Sequence, residues 1–403
     1  LFKIFFFILL FFSFLGIILL KSNFNNLDIC FISIYIAVSL LSYDRYYLDE
    51  DEFAYWGQRI KDFYYYNELQ GFKVNRYHQP LLTSWQLFFT SLKFSENLTI
   101  FANNVILISA FFFLSDFSKK KILSNLSFVI LSFLLFYLLI NNLSFGFVSI
   151  YADPIVAILS TCILKIIIED EYDKQKIIFL FFLAFCLYFS HRLGIIFLFI
   201  LLSYILLKNY NFIFLKNKKR FIISLALIIL LGRYLFFNQL AYSQTPFNIF
   251  DRIDILIEII NNFILNFKKI LLIDIYFSSF GVFINKIFEI YINKKSFLNS
   301  YSINILFWSI LILILLILDK KKETVIYFIL AFIFYLFVIF IEKAYFQNLS
   351  YLVFGRYASI FLLSFLLFIL TRKTNYYVLI FLLIFNLSIT PLKSFGFFVP
   401  NNI

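Results

Sequence analysis

Asp51 and Glu52 end a run of four consecutive acids that opens at Asp49, immediately after an apolar segment. Further along stand His78, Asp153, the pair His191–Arg192, and Arg356. These side-chain types divide one kind of chemistry between them. A carboxylate takes the proton from an attacking hydroxyl, and a guanidinium grips phosphate through two parallel hydrogen bonds. Acid, imidazole and guanidinium groups at one membrane surface suit a transfer reaction on a phosphate-bearing lipid. The idea requires elements that bring these groups to the same side.

Composition says what those elements are. The chain is 63% hydrophobic and 14% charged, against about 45–50% and about 25% in soluble domains. The expected fold class is therefore all-α, a polytopic transmembrane helix bundle. Net charge is +12, but the basic residues cluster in short loops. That is the pattern of cytoplasmic loops rather than of nucleic-acid binding, so no nucleic-acid partner is expected. Cys30, Cys162 and Cys186 fall in apolar segments without metal or redox spacing and read as small hydrophobes. The N-terminal apolar run shows no small-residue cleavage site and is not expected to be a signal peptide.

A spanning helix needs about 20 apolar residues. Ile4–Leu20, Ile29–Leu41, Leu98–Ser115, Ile122–Ile140, Phe147–Ile168, Phe221–Phe237, Ile303–Leu318, Thr324–Ile341, Tyr357–Leu370 and Tyr376–Thr390 qualify as candidates. Ile177–Leu207 is too long for one crossing and splits into two short helices at His191–Arg192. About twelve crossings result, in a single integral membrane domain over 1–403. Lys119–Lys121, Lys216–Arg220, Lys320–Lys322 and Arg372–Lys373 share one side by parity, the cytoplasm. The first outer loop (43–97), His191–Arg192, the second large outer segment (238–302), 342–355 and both termini face the other side.

Within the first outer loop, Asp49 and Glu52 have capping-box spacing. Phe53, Trp56, Ile60 and Phe63 then form one apolar face, with Glu52, Arg59 and Asp62 off it. This predicts a helix lying along the membrane surface. Pro80 suits the first turn of another helix, Leu81–Phe94, with Trp85 as an interfacial anchor. Ile253, Leu256, Ile257 and Ile260 give an amphipathic pattern, and Ile270–Ile284 reads as re-entrant or interfacial.

Each chemical residue has a plainer role to weigh. Asp49 is a helix N-cap, and Asp51 and Glu52 complement a helix dipole. Asp153 before Pro154 is a common helix start, and His78 is a surface histidine in a polar loop. Arg192 and Arg356 snorkel to headgroups. The plainer roles do not explain why all of these groups share one side.

Motif order adds a resemblance. Asp51-Glu52-Phe53-Ala54-Tyr55 in the first outer loop, His78-Gln79-Pro80-Leu81 closing it, Tyr151-Ala152-Asp153-Pro154, Arg192-Leu193-Gly194 and Gly355-Arg356-Tyr357 follow one another in sequence. In this order the chain resembles the GT-C membrane glycosyltransferases, in particular the branch of the protein O-mannosyltransferases and the lipid A aminoarabinose transferase. The likeness covers roughly residues 29–370 by topology, with only the short motifs literal. Gln79 departs from the Pro of many relatives, and Ile4–Leu20 is an extra helix.

The resemblance implies a polyprenyl-phosphate sugar donor entering from the bilayer, and a lipid, glycan or protein acceptor. It implies a multi-pass protein of the bacterial inner membrane, with its site on the periplasmic side. Asp51 would act as the base, with Glu52 beside it, and transfer would invert the anomeric centre. Arg192, Arg356 and His78 would stabilise the departing phosphate. Asp153, Asp49 and His191 would orient the acceptor or hold a divalent cation, the one cofactor the pattern leaves open. Two other readings stay open: a polymerase or ligase of the O-antigen type acting on undecaprenyl-diphosphate glycans through residues 238–302, and a transporter or flippase. Transporters place charges at the midplane and often carry internal repeats, and no repeat is visible here.

Overall fold

The computed structural model describes residues 32–38, 40, 46–47, 56–66, 80–114, 150–168, 174–191, 194, 196–197, 199, 257, 261, 274–275, 303–318, 322–345, 360–365 and 367–368. These residues are helical apart from short connections and one two-residue bridge. The chain divides into two compact units. The first holds Leu1–Phe72, Pro80–Ile158 and Leu370–Ile403, and the second Lys73–Gln79 and Leu159–Ile369.

In the first unit, α1 (Gly57–Tyr66), α2 (Pro80–Phe89) and α3 (Glu96–Leu114) are consecutive. Proline opens α2, where its fixed φ is helical and its missing N–H is not needed. The helix ends at Phe89, short of the expected Phe94. Thr90 turns its hydroxyl back to the carbonyls of Gln86 (3.2 Å) and Leu87 (3.3 Å), and a bend follows. Ser95 then starts α3, accepting the first backbone bond from Thr99, and its hydroxyl donates to the Asn97 side-chain oxygen. Glu96 adds a negative charge in the first turn. α1 packs on α2, and α2 on α3. Between α2 and α3 the rings of Phe89 and Phe101 meet edge to face at 5.6 Å.

One apolar cluster binds this unit: Tyr47, Ile60, Leu87, Ile100 and Ile150, flanked by Trp56, Phe63, Tyr64 and Phe94. The expectation for α1 needs correction. Ile60 is buried as foreseen, yet Arg59 and Asp62 are buried too, 6% and 2% exposed. Their neighbours make this tolerable. The Arg59 guanidinium lies 5.3 Å from the centre of the Trp56 ring, and Gln58 donates to Asp62 Oδ1 at 2.8 Å. The Trp85 indole is likewise not left to headgroups, since its N–H donates to the Ala102 carbonyl at 2.8 Å.

α4 (Asp153–Ile168) begins six residues after the expected start of its crossing, because Pro154 fixes the first turn. Val156 N–H donates to the Ala152 carbonyl at 2.9 Å as the first bond. Of the side chains described from Asp153 to Ile167, all but Leu159 are buried, as expected for a helix apolar on every side. The boundary between the units falls within this helix.

In the second unit, α5 (Lys174–Ser190) stops where the long apolar run was expected to break. α6 (Ile305–Leu318) and α7 (Lys322–Tyr345) form a helical hairpin. Ahead of α6, β2 (Ile303–Asn304) pairs antiparallel with β1 (Asp274–Ile275), with Asp274 opposite Asn304. Residues 360–365 are helical and buried, and the ring of Phe361 stacks on Tyr335 at 5.3 Å. Thr161 donates its hydroxyl to the Ser364 carbonyl at 3.1 Å.

The hairpin exposes isoleucines on its outside and buries Ser309 and Thr324 among apolar side chains. α6 buries Ser309, Ile312 and Leu316 while exposing Ile310, Ile314 and Ile317. α7 buries Thr324, Tyr327, Phe328, Ala331 and Tyr335 while Ile326, Ile329 and Ile333 stand 44–58% exposed. Among the described residues, no helix is long and apolar enough to cross a membrane. The expected segments Ile4–Leu20, Ile122–Ile140, Phe221–Phe237 and Tyr376–Thr390 lie outside the described residues.

Candidate functional site

Glu96 organises the polar groups of the described residues that flank the acidic run in sequence. Its Oε2 accepts the Tyr47 backbone N–H at 3.0 Å, and its Oε1 accepts Lys61 Nζ at 2.9 Å. The Tyr47 ring is buried, and its hydroxyl shares a hydrogen bond with Thr99 Oγ1 at 2.9 Å. Thr99 in turn donates to the Glu96 carbonyl at 2.6 Å. The Lys61 ammonium also stands 5.7 Å from the ring centres of both Tyr47 and Phe94. Helix α1 and the strand of chain at Tyr47 are thus both fixed to the first turn of α3. Between them in sequence lie Asp49, Asp51 and Glu52.

A second polar line runs deeper. Gln86 on α2 donates to Asn103 Oδ1 on α3 at 3.0 Å, and Asn103 Nδ2 reaches the Tyr151 carbonyl at 3.4 Å. Tyr151, Ala152 and Asp153 are all buried, and Asp153 sits in the first turn of α4. An acid at that place is favoured by the helix dipole whatever else it does. Asp153 is the sequence-proposed residue that this unit holds among its described residues.

His191, in the second unit, is half-buried at the end of α5. Its N–H continues the helix to the Leu187 carbonyl at 2.9 Å, and its own carbonyl accepts from Gly194 at 2.9 Å. Glycine is required at 194 by close approach. A Cβ there would lie 2.4 Å from the carbonyl carbon and oxygen of Leu187 and 2.5 Å from the Tyr188 nitrogen. Gly194 therefore lies against the last turn of α5, three residues after His191.

Asp49, Asp51, Glu52, His78, Arg192 and Arg356 lie outside the described residues. Asp153 and His191 belong to different units. Among the described residues no three His, Cys, Asp or Glu side chains gather into a group able to hold a metal ion.

Four polar residues went unremarked in the sequence: Gln86, Glu96, Asn103 and Asn104. The two asparagines did carry a signal, adjacent amides within the apolar run Leu98–Ser115. Asn104 is 1% exposed, and among the described residues neither its Oδ1 nor its Nδ2 has a hydrogen-bond partner. Asp62 Oδ2 is in the same condition. Glu96 was less visible, because a carboxylate in a helix's first turn looks complete as a dipole partner.

The chain matches no family model, no curated protein and no solved structure.

Proposed function

We propose that the chain is a multi-pass membrane glycosyltransferase that moves a sugar from a polyprenyl-phosphate donor to an acceptor at the outer face of the bacterial inner membrane. One observation carries the reading. The cluster of Tyr47, Ile60, Leu87, Ile100 and Ile150 ties both flanks of the acidic run to the entry of the Asp153 helix. Tyr47 stands four residues before Asp51, and Ile150 stands three before Asp153. A chain spans at most about 3.3–3.6 Å per residue, so Asp51 keeps within about 14 Å of that cluster.

The membrane setting is supported by α6 and α7, which expose a row of isoleucines outside while also burying apolar side chains and Ser309 and Thr324 inside. A helix in water keeps its outer face polar. Along α7 the charges Lys322, Glu323, Glu342 and Lys343 stand at the two ends, leaving Thr324–Ile341 uncharged between them.

In the proposed reaction Asp51 accepts the proton of an acceptor hydroxyl as its oxygen bonds to the anomeric carbon. The bond from that carbon to the phosphate oxygen breaks, and polyprenyl phosphate leaves with the electron pair. A single displacement inverts the centre. The leaving group is already anionic, so cations serve it better than a protonating acid. Arg192, Arg356 and His78 take that part. Glu52 stands beside the base, and Asp153, Asp49 and His191 orient the acceptor hydroxyls.

The test uses the full chain in proteoliposomes with a labelled polyprenyl-phosphate sugar and reads release of free polyprenyl phosphate. Asp51→Asn should remove release while leaving insertion intact. Full activity in that variant removes the assignment. Activity that survives Asp51→Asn but fails when 238–302 is disrupted points to the polymerase or ligase class. Movement of intact lipid-linked sugar across the bilayer without release points to a transporter.

A further inference from the structure

We infer that Glu96 is a positioning residue, whose two carboxylate oxygens hold the two flanks of the segment bearing Asp49, Asp51 and Glu52. What the segment does rests on the enzymatic reading above, whereas the clamp rests on Tyr47, Lys61, Glu96 and Thr99 alone. A carboxylate in the first turn of a helix is ordinarily accounted for by the dipole and by its own turn's N–H groups. Glu96 spends both oxygens elsewhere, on Tyr47 N at 3.0 Å and Lys61 Nζ at 2.9 Å, residues 49 and 35 positions away. The two grips act on opposite sides of the acidic run.

Each grip is reinforced. Tyr47 is held at its other end by the Thr99 hydroxyl, one turn further along α3. Lys61 rests between the Tyr47 and Phe94 rings. With side chains 32% and 16% exposed, Lys61 and Glu96 are more shielded than a surface ion pair. Screening by salt is therefore weaker here. Misplacement of a reacting group by about 1 Å can lower rates by about 100-fold, so groups that hold the flanks of a catalytic segment count toward its rate.

Glu96→Gln keeps an accepting oxygen for one partner only. The full chain with this change should show kcat for polyprenyl phosphate release lowered about 10- to 100-fold, with the donor KM nearly unchanged. Lys61→Gln removes one grip and should lower kcat less. The double variant should be no slower than Glu96→Gln, because both act through the same clamp. Lys93→Gln, an exposed change of equal charge, should match the wild type. Amide hydrogen exchange at Tyr47 and along α1 should quicken in Glu96→Gln. Unchanged kcat, or effects of the two singles that simply add, overturns the positioning role. Unchanged exchange overturns the clamp itself, whether or not transfer is detected. A wild type that releases no polyprenyl phosphate, yet shows faster exchange in Glu96→Gln, removes the enzymatic reading and leaves the clamp in place.

Discussion

Gln86 on α2 gives its side-chain amide to Asn103 Oδ1 on α3 at 3.0 Å, and among the described residues its neighbour Asn104 has no such partner. Asn103 and Asn104 are equally buried, at 1% exposed each. They therefore make opposite predictions. Replacing Asn103 by Leu strands the Gln86 amide and removes a donor to the Tyr151 carbonyl, which should lower stability by about 1–3 kcal/mol. Replacing Asn104 by Leu removes two unpaired polar atoms at similar volume and should raise stability by about 1–3 kcal/mol. Denaturant unfolding of the two variants in one detergent decides between them. A loss of stability in Asn104→Leu would mean that its amide is satisfied in the folded protein.

Gly194 gives a sharper sign. A Cβ at that position meets the backbone of Leu187 and Tyr188, not the movable tip of a side chain. Gly194→Ala should therefore destabilise by about 1–3 kcal/mol, the usual range for overpacking, and disturb the bond from Gly194 N–H to the His191 carbonyl. Thermal unfolding measures the first effect, and reduced release of polyprenyl phosphate the second. Wild-type stability in Gly194→Ala would show that the close approach to α5 does not form.

One helix start was legible because a local residue fixes the backbone. Pro80 opens α2 as expected, since a proline's φ is set before any tertiary contact exists, whereas α4 was expected from Phe147 and starts only at Asp153, just before Pro154. The end of α5 was legible because His191–Arg192 interrupts an apolar run too long for one crossing. Burial of Arg59 and Asp62 was not, because helical periodicity sorts side chains by polarity and cannot know that Trp56 and Gln58 will serve them. Nor was the use of Glu96. Its partners at Tyr47 and Lys61 are distant in sequence, and any acid in that first turn reads as a cap. Of the candidate site, the tie between the acidic run's flanks and the Asp153 helix runs through Ile150 and Asn103, whose pairing no local pattern announces.

The outward isoleucines of α7 test the membrane setting by depth. Ile326, Ile329 and Ile333 are about equally exposed, but they stand at different distances from the charged end at Lys322 and Glu323. In water, a lysine at any of the three would replace an exposed apolar side chain, and each change would stay within about 0.5 kcal/mol. In a bilayer the result depends on position. Ile333 is near the middle of the uncharged stretch Thr324–Ile341, where a lysine costs about 2.5–3.5 kcal/mol. Ile326 is close enough to the end for a lysine to reach the headgroups along its own chain, which reduces the penalty. Ile333→Lys should therefore cut the membrane-integrated fraction sharply, and Ile326→Lys only slightly. Protease protection of the α6–α7 hairpin in inverted vesicles reads that difference, and equal, negligible effects of the two lysines would place this face in water.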